Sequence, residues 1–182
     1  MKMKSLLFAA AFGWSAVLCA APAPPARVDF VGIDGTSLAI SQVFGNAEAG
    51  QAGWMGEKRD QRLVLNIKAA RNWETQKFVF VPKKDGIVRI AIMPVKNAQF
   101  AFDGFEIEGA VSKLRNPGFE ESDSKIPGWY KPAGVEIRSD GAFEGKNYLF
   151  LSKPGNNVSQ GFKVRRGVPV TVKFAVKEIP DK

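Results

Sequence analysis

Aromatic residues close to polar ones are the part of this sequence that could do chemistry, and that chemistry would be recognition. Trp and Tyr have a large rigid apolar face and a polar edge, so their rings can stack on the apolar side of a sugar ring. Asn, Gln, Arg or Asp side chains beside them would bond the sugar hydroxyl groups. The candidates for carbohydrate-binding contacts are Trp54, Tyr130, Arg71 and Asn72.

Two of the tryptophans have more than one interpretation. Trp54 lies in a stretch rich in Gly and Ala, where its ring could contact a ligand, anchor a loop on the core or simply be exposed. Trp73 precedes a strongly alternating stretch, so we expect it in the core. The neighbouring Arg71 and Asn72 would then be placed to reach a ligand.

The residues that most hydrolases need are missing. The chain contains no histidine, and its one cysteine is Cys19. Histidine is the commonest general base near neutral pH, so Ser-His-Asp and Cys-His catalysis are excluded. Glu106 and Glu108 share one face of a strand, opposite Phe105 and Ile107. A retaining glycosidase needs carboxyl groups about 5 Å apart beside a cleft, and nothing specifies a cleft here. We expect a solvated pair and no enzymatic activity.

The chain is basic, with a formal net charge of +8. Without Lys2 and Lys4, which lie in a predicted leader, 24 Lys and Arg face 18 Asp and Glu, leaving about +6. The cations are scattered, whereas a nucleic-acid binder tends to cluster them with exposed aromatic residues. We therefore expect no nucleic-acid partner. A soluble basic surface is one interpretation, and weak attraction to acidic polysaccharide or the cell envelope is the other.

The predicted leader covers residues 1–21. A positively charged start, an apolar stretch over 6–18 and small residues before a Pro-rich segment are typical of a Sec-type signal peptide. The apolar stretch is shorter than the roughly 20 residues of a membrane span. A lipid anchor on Cys19 is disfavoured because Leu18 stands where a lipobox needs Gly, Ala or Ser. The prediction is a secreted, periplasmic or cell-envelope protein without stable membrane insertion.

The elements that must position these residues are short strands. Alternation of apolar and polar residues predicts strands over 27–33, 37–44, 62–69, 76–81, 87–93, 98–107, 135–138, 147–151, 157–164 and 169–176. Gly, Pro and Asn separate them, which is typical of an all-β sandwich. The stretch 46–60, with its Gly and Ala, predicts a long loop carrying Trp54. Residues 22–27 form a predicted Pro/Ala-rich linker, and 28–182 a single domain.

Two segments in the middle of the chain resemble a known family. Residues 102–109, FDGFEIEG, are similar to the closing strand of a jelly-roll carbohydrate-binding module of the galactose-binding-domain-like superfamily. Residues 116–120, NPGFE, and 127–129, PGW, resemble the first strand and first loop of the same family. The segment that resembles the last strand of the family therefore comes directly before the segments that resemble its first strand and loop.

That order has two explanations, tandem incomplete modules or one circularly permuted module. Two half-modules would each leave open sheet edges and an uncovered core. The halves 28–112 and 113–182 together have the size of one sandwich. We therefore predict an all-β jelly-roll β-sandwich of two antiparallel sheets, formed by a single permuted module.

The resemblance also implies a ligand and an ion. It implies a non-catalytic module that binds a polysaccharide or glycan, and that buries Trp129. In many such modules a structural calcium ion joins the first and last strands, and its carboxylate ligands match Glu120 and Asp103. Calcium takes six to eight oxygen ligands, so carbonyl groups near Gly145 and Lys146 would complete the shell. The alternatives are that these carboxylates are hydrogen-bonded edge residues, and that the domain is a structural or protein-interaction sandwich without a sugar site.

Overall fold

A computed structural model describes residues 26–33, 38–44, 47–55, 60–94, 99–122, 125–154 and 157–180, with the backbone alone described between 38 and 61. The strands are β1 Ala26–Gly32, β2 Leu38–Phe44, β3 Ala47–Met55, β4 Asp60–Ile67, β5 Glu74–Pro82, β6 Gly86–Pro94, β7 Gln99–Glu108, β8 Glu136–Arg138, β9 Tyr148–Leu151, β10 Val158–Val164 and β11 Val170–Ile179.

These strands form two sheets. One has five strands in the order β10-β6-β1-β4-β3, and the other has six in the order β2-β5-β11-β7-β9-β8. Every pairing of neighbouring strands is antiparallel. The predicted all-β sandwich of two antiparallel sheets is therefore confirmed.

Strand alternation decides which side chains form the core. In β1, Val28 and Phe30 point between the sheets, and the stacked rings of Phe30 and Phe78 lie 4.7 Å apart across them. Burying such side chains contributes about 1.5–3 kcal/mol each relative to leaving them exposed. Further fully buried phenylalanines of the core are Phe80, Phe100, Phe102, Phe119, Phe162 and Phe174.

The two halves of the chain complete one another. Strand β10 from the second half pairs with β6 from the first, and β11 lies between β5 and β7. Strand β9 extends the same sheet by pairing with β7. Neither half could bury its core alone, because each supplies strands to both sheets. Circular permutation is a statement about the strand order of this chain compared with that of related proteins, and it stays a prediction.

The predicted loop over 46–60 is wrong, because most of it is β3, an edge strand paired with β4. Small residues hide the alternation on which the prediction depended, yet their backbone still completes the hydrogen bonds of β4. Trp54 lies on β3 just after a register shift, and its side chain lies outside the described part. At the N-terminus, β1 begins at Ala26, within the predicted linker; the predicted signal peptide lies outside the described residues. Among the described residues, no helix has the length and apolar character needed to span a membrane.

A bulge in β7 changes which residues face inward. The register with β11 shifts between Ala175 and Lys173, next to Gly104, which adopts a positive φ of 58°. Left-handed backbone favours glycine because it has no Cβ. Before the bulge, even-numbered residues such as Phe102 face the core. The extra residue reverses this, so the odd-numbered Phe105 faces the core after it. Asp103 is left on the outer side of the sheet.

Candidate functional site

The segment that follows β7 covers the edge of the five-stranded sheet. Tyr130 and Ser159 of β10 exchange two backbone hydrogen bonds, of 2.8 and 3.2 Å. The Gln160 side chain accepts a hydrogen bond from Arg115 N at 2.7 Å and donates one to Arg115 O at 3.0 Å. An uncovered strand edge would expose unpaired backbone groups. The segment satisfies them and fixes the position of Tyr130.

Trp129 and Tyr130 point in opposite directions. Trp129 is 6% exposed, packs its ring 5.3 Å from that of Phe119, and donates from Nε1 to Asn116 O at 3.0 Å. The burial of Trp129 that the resemblance implied is thus found. Tyr130 is 68% exposed. The buried indole and the bridged backbone fix the position of the Tyr130 backbone, and its side chain faces solvent.

Tyr130 stands between two clefts. The larger, about 600 Å³, is lined by Lys125, Ile126, Pro127, Gly128, Trp129, Tyr130, Lys131, Pro132, Ala133, Gly134 and Val135. The second, about 440 Å³, is lined by Arg89, Gly128, Tyr130, Asn157, Ser159, Gln160 and Gly161. Both volumes fall in the range of small-molecule sites. Tyr130 contributes to both walls.

The other predicted binding residues do not join this site. Arg71 and Asn72 are exposed in the turn between β4 and β5 and line neither cleft. That turn lies beside the end of β11, because Glu178 N donates to Ala70 O. Trp54 lies on β3, at the opposite edge of the five-stranded sheet from β10. The structure therefore separates the four candidates into three places.

Trp73 is not in the main core, contrary to the prediction. It is half-buried in a second apolar cluster on the outer face of the six-stranded sheet, where its indole N–H donates to Gly141 O at 2.9 Å. Its ring meets Tyr148 edge-on at 5.8 Å, and Lys177 Nζ lies 4.5 Å from its centre. The sequence could not separate an outer cluster from the core, because both require apolar neighbours.

Asp103 and Glu120 meet at one loop, residues 139–147, which joins β8 to β9. Asp103 Oδ2 accepts hydrogen bonds from Phe143 N at 2.9 Å and Glu144 N at 3.1 Å. Glu120 Oε1 accepts from Lys146 N at 2.9 Å and Asn147 N at 3.0 Å. Both carboxylates are therefore hydrogen-bonded to loop amides, and a bound calcium ion stays a prediction.

A third carboxylate approaches the same place. A Cβ added to Gly118 would lie 3.7 Å from Glu144 Oε1 and 3.8 Å from Asp103 Oδ1. Burial raises the pKa of Asp103 to about 6; its hydrogen bonds from backbone N–H groups lower it, and the Glu144 charge raises it slightly. Within the described ranges, no three Asp or Glu side chains are arranged as a set of metal ligands. Oxygen-only donors nevertheless suit calcium in kind.

Glu106 and Glu108 are both exposed, as predicted. Glu106 accepts a hydrogen bond from Lys173 Nζ at 3.0 Å, across the pairing of β7 with β11. Such exposed pairs contribute less than about 1 kcal/mol. With Lys77 and Thr171 they surround a space of only about 140 Å³.

Sequence reasoning missed Arg89 and Asn157. Alternation places Arg89 on the outer face of β6, which the sequence could show. Its position beside Tyr130 depends on the pairing of β6 with β10 and on the bridge to Ser159, both long-range contacts. Comparison with protein-family models, with curated proteins and with solved structures found no match.

Proposed function

We propose that this protein is an exported, non-catalytic glycan-binding β-sandwich whose binding site is centred on Tyr130. The observation that carries the proposal is the ring of Tyr130, 68% exposed on the wall between two clefts. A rigid, uncovered aromatic face suits stacking on a pyranose ring. Asn157 lines the second cleft, where its amide can bond hydroxyl groups.

The arrangement suits weak and reversible binding. Tyr130 is held by its backbone bridge to Ser159 and by the buried Trp129 next to it. Little ordering of the site would therefore be needed on binding. The clefts are partly open to solvent, so we expect dissociation constants of about micromolar to millimolar, equivalent to about −8 to −4 kcal/mol.

Electrophoresis of the mature chain through gels containing polysaccharides tests the proposal. Tyr130→Ala should weaken retardation about tenfold, whereas Tyr130→Phe keeps the stacking face and should retain most of the affinity. Phe143→Ala is the matched control, because Phe143 is 45% exposed and lines neither cleft.

Further variants assign the remaining candidates. Trp54→Ala, Arg71→Ala and Asn72→Ala should leave binding unchanged if Tyr130 is the centre. Loss of binding in one of them, with Tyr130→Ala unaffected, would move the site there. If no glycan retards the protein, the structural or protein-interaction alternative stands.

We also propose a structural calcium ion beside the loop 139–147. Asp103 and Glu120 would hold it, with carbonyl groups near Gly145 and Lys146. The support is the approach of Glu144 to Asp103 and the raised Asp103 pKa, because a cation would offset both burial and repulsion. Bound calcium would join β7 to the segment after it and would take no part in catalysis.

Thermal unfolding in EDTA and in calcium decides this point. At a calcium concentration 100 times the dissociation constant, the free energy of unfolding should rise by about 2.7 kcal/mol. Magnesium, which prefers to keep its water ligands, should stabilise less. Equal melting temperatures in EDTA and calcium would mean that backbone amides, and no calcium ion, hold the two carboxylates.

Export is proposed on the leader pattern of residues 1–21. Mass spectrometry of protein recovered from outside the cytoplasm of a bacterial host should show a chain shortened near residue 21. A full-length mass in the cytoplasm alone would contradict it.

A further inference from the structure

We propose that the ligand at Tyr130 is an anionic polysaccharide that carries carboxylate or sulfate groups, an inference that rests on the proposed glycan-binding function. Lys125 and Lys131 line the larger cleft, Arg89 lines the second, and Tyr130 lines both. Among the described residues that line either cleft, none is acidic. The site thus brings three cations to one aromatic ring.

Arg89 is placed to meet an anion. It is exposed on β6, directly opposite Gly161 of the edge strand β10. Because Gly161 has no side chain, nothing from that position covers the guanidinium group. In the part of the chain that the structure describes, no carboxylate pairs with Arg89. A planar guanidinium group can bind a carboxylate or sulfate through two parallel hydrogen bonds.

Two other arginines on the same face of the sheet already share a carboxylate. Arg27 bonds both carboxylate oxygens of Asp29, at 2.6 and 2.7 Å, and Arg62 Nε lies 3.0 Å from Asp29 Oδ2. Asp29 is fully buried beneath them. The negative charge of Asp29 is therefore already paired within the protein. Arg89, which pairs with no carboxylate among the described residues, lies nearer the β10 edge, where Tyr130 is.

The arrangement of the charges indicates a polymer with repeated acid groups. Cations lie in both clefts, so a chain that stacks one ring on Tyr130 could place acid groups on either side of it. A carboxylate of a uronic acid and a sulfate ester share this chemistry. Both are oxyanions that accept from Arg and Lys, and charge-matched probes distinguish them.

Isothermal titration of the mature chain with paired polymers tests the inference. Polygalacturonate is compared with fully methyl-esterified polygalacturonate, and dextran sulfate with dextran, so each pair differs in charge on a shared backbone. We expect the acidic member of at least one pair to bind about tenfold more tightly at low salt. That preference should fall as salt rises, because exposed charges are screened.

Variants connect the preference to the site. Arg89→Gln should weaken acidic binding about three- to tenfold, in the range of an exposed charge-assisted hydrogen bond, and should weaken binding of the neutral partner by a clearly smaller factor. Lys83→Gln, which removes an exposed charge in the turn between β5 and β6, is the control. Gly161→Leu should block the second cleft without removing a charge. The added Cβ would lie 3.4 Å from Ile87 Cγ2, and the melting temperature of the variant checks that it is folded.

The outcomes separate this inference from the function beneath it. Equal binding of acidic and neutral partners, still lost in Tyr130→Ala, would overturn the anionic preference and leave glycan binding intact. Acidic binding that survives Tyr130→Ala would show non-specific attraction to a basic surface, and both proposals would fall. Absence of binding to all four polymers, repeated on a wider glycan panel, would also remove both.

Discussion

Asp103 and Glu120 are 17 positions apart in the chain, yet their carboxylates hold neighbouring parts of the same loop, Asp103 its middle and Glu120 its C-terminal end. Asp103 lies at the bulge of β7, and Glu120 lies on the segment that follows. Each carboxylate accepts hydrogen bonds from two backbone N–H groups of the loop 139–147. These N–H groups are thereby satisfied without pairing to a strand. This relationship joins the end of one half of the sequence to the beginning of the other.

The stability of the metal-free protein should fall as pH rises through the range in which Asp103 ionises. Its folded pKa is about 6, against an ordinary value of 3.8, so the folded state keeps a proton that the unfolded state has lost. Between about pH 4 and pH 6 the unfolded state binds fewer protons, and the free energy of unfolding should fall by on the order of 1–3 kcal/mol.

Urea unfolding in EDTA at several pH values measures this effect, with Asp103→Asn as the reference. The variant cannot ionise there, so the difference between the two proteins should change with pH below about 6 and level off above it. A constant difference from about pH 4 to pH 7 would show that Asp103 has an ordinary pKa.

Glu120→Ala should destabilise the protein by about 1 kcal/mol. The variant leaves the N–H groups of Lys146 and Asn147 without their carboxylate acceptor, but water can replace it because the site is exposed. Glu108→Ala removes an equally exposed carboxylate at the end of β7 and should change stability by less than about 0.5 kcal/mol. Equal effects in the two variants would mean that Glu120 does not fasten the loop.

Much of the fold could be predicted because large apolar residues alternate along most strands. Val170, Val172, Phe174 and Val176 show the pattern in β11, and all are buried. The pattern fails for β3, whose Gly and Ala residues carry little hydrophobic signal although their backbone pairs with β4. Local periodicity identifies strands; it does not show which strand edge remains for the segment around Tyr130 to cover.

The site was only partly predictable for the same reason. Tyr130 could be proposed because it follows a tryptophan that the resemblance placed inside. The cations around it come from β6 and from the residues on either side of it, and no pattern in the sequence brings Arg89 to the ring. The bulge at Gly104 was equally hidden, since it reverses the alternation of β7 within a single residue.

Gly128→Ala should disturb the Tyr130 site through the backbone. Gly128 has a φ of 85°, and a Cβ there would lie 2.7 Å from Arg115 Cβ and 3.2 Å from Arg115 O. The chain must shift to admit it, so we expect a loss of about 2–3 kcal/mol in stability and weaker glycan binding. Gly167→Ala is the control, because Gly167 also has a positive φ, of 72°, with nothing within 4 Å of an added Cβ.

The control variant should lose only the strain of the left-handed backbone, about 1 kcal/mol, with binding unchanged. The difference between the two variants then measures the crowding against Arg115. If both lose the same stability and both still bind, Gly128 does not set the position of Tyr130.

Asp29→Ala should be the most destabilising of these substitutions, by about 3–5 kcal/mol. Asp29 is buried between two arginines, and removing it leaves both guanidinium groups half-buried without their shared carboxylate. Glu136→Ala breaks an ion pair of similar length, 2.9 Å to Arg138, but both side chains are more than one-third exposed. That variant should lose less than about 1 kcal/mol, because water solvates the remaining charge. Chemical denaturation of both variants gives the comparison, and a similar small loss in each would mean that Arg27 and Arg62 remain solvated when Asp29 is removed.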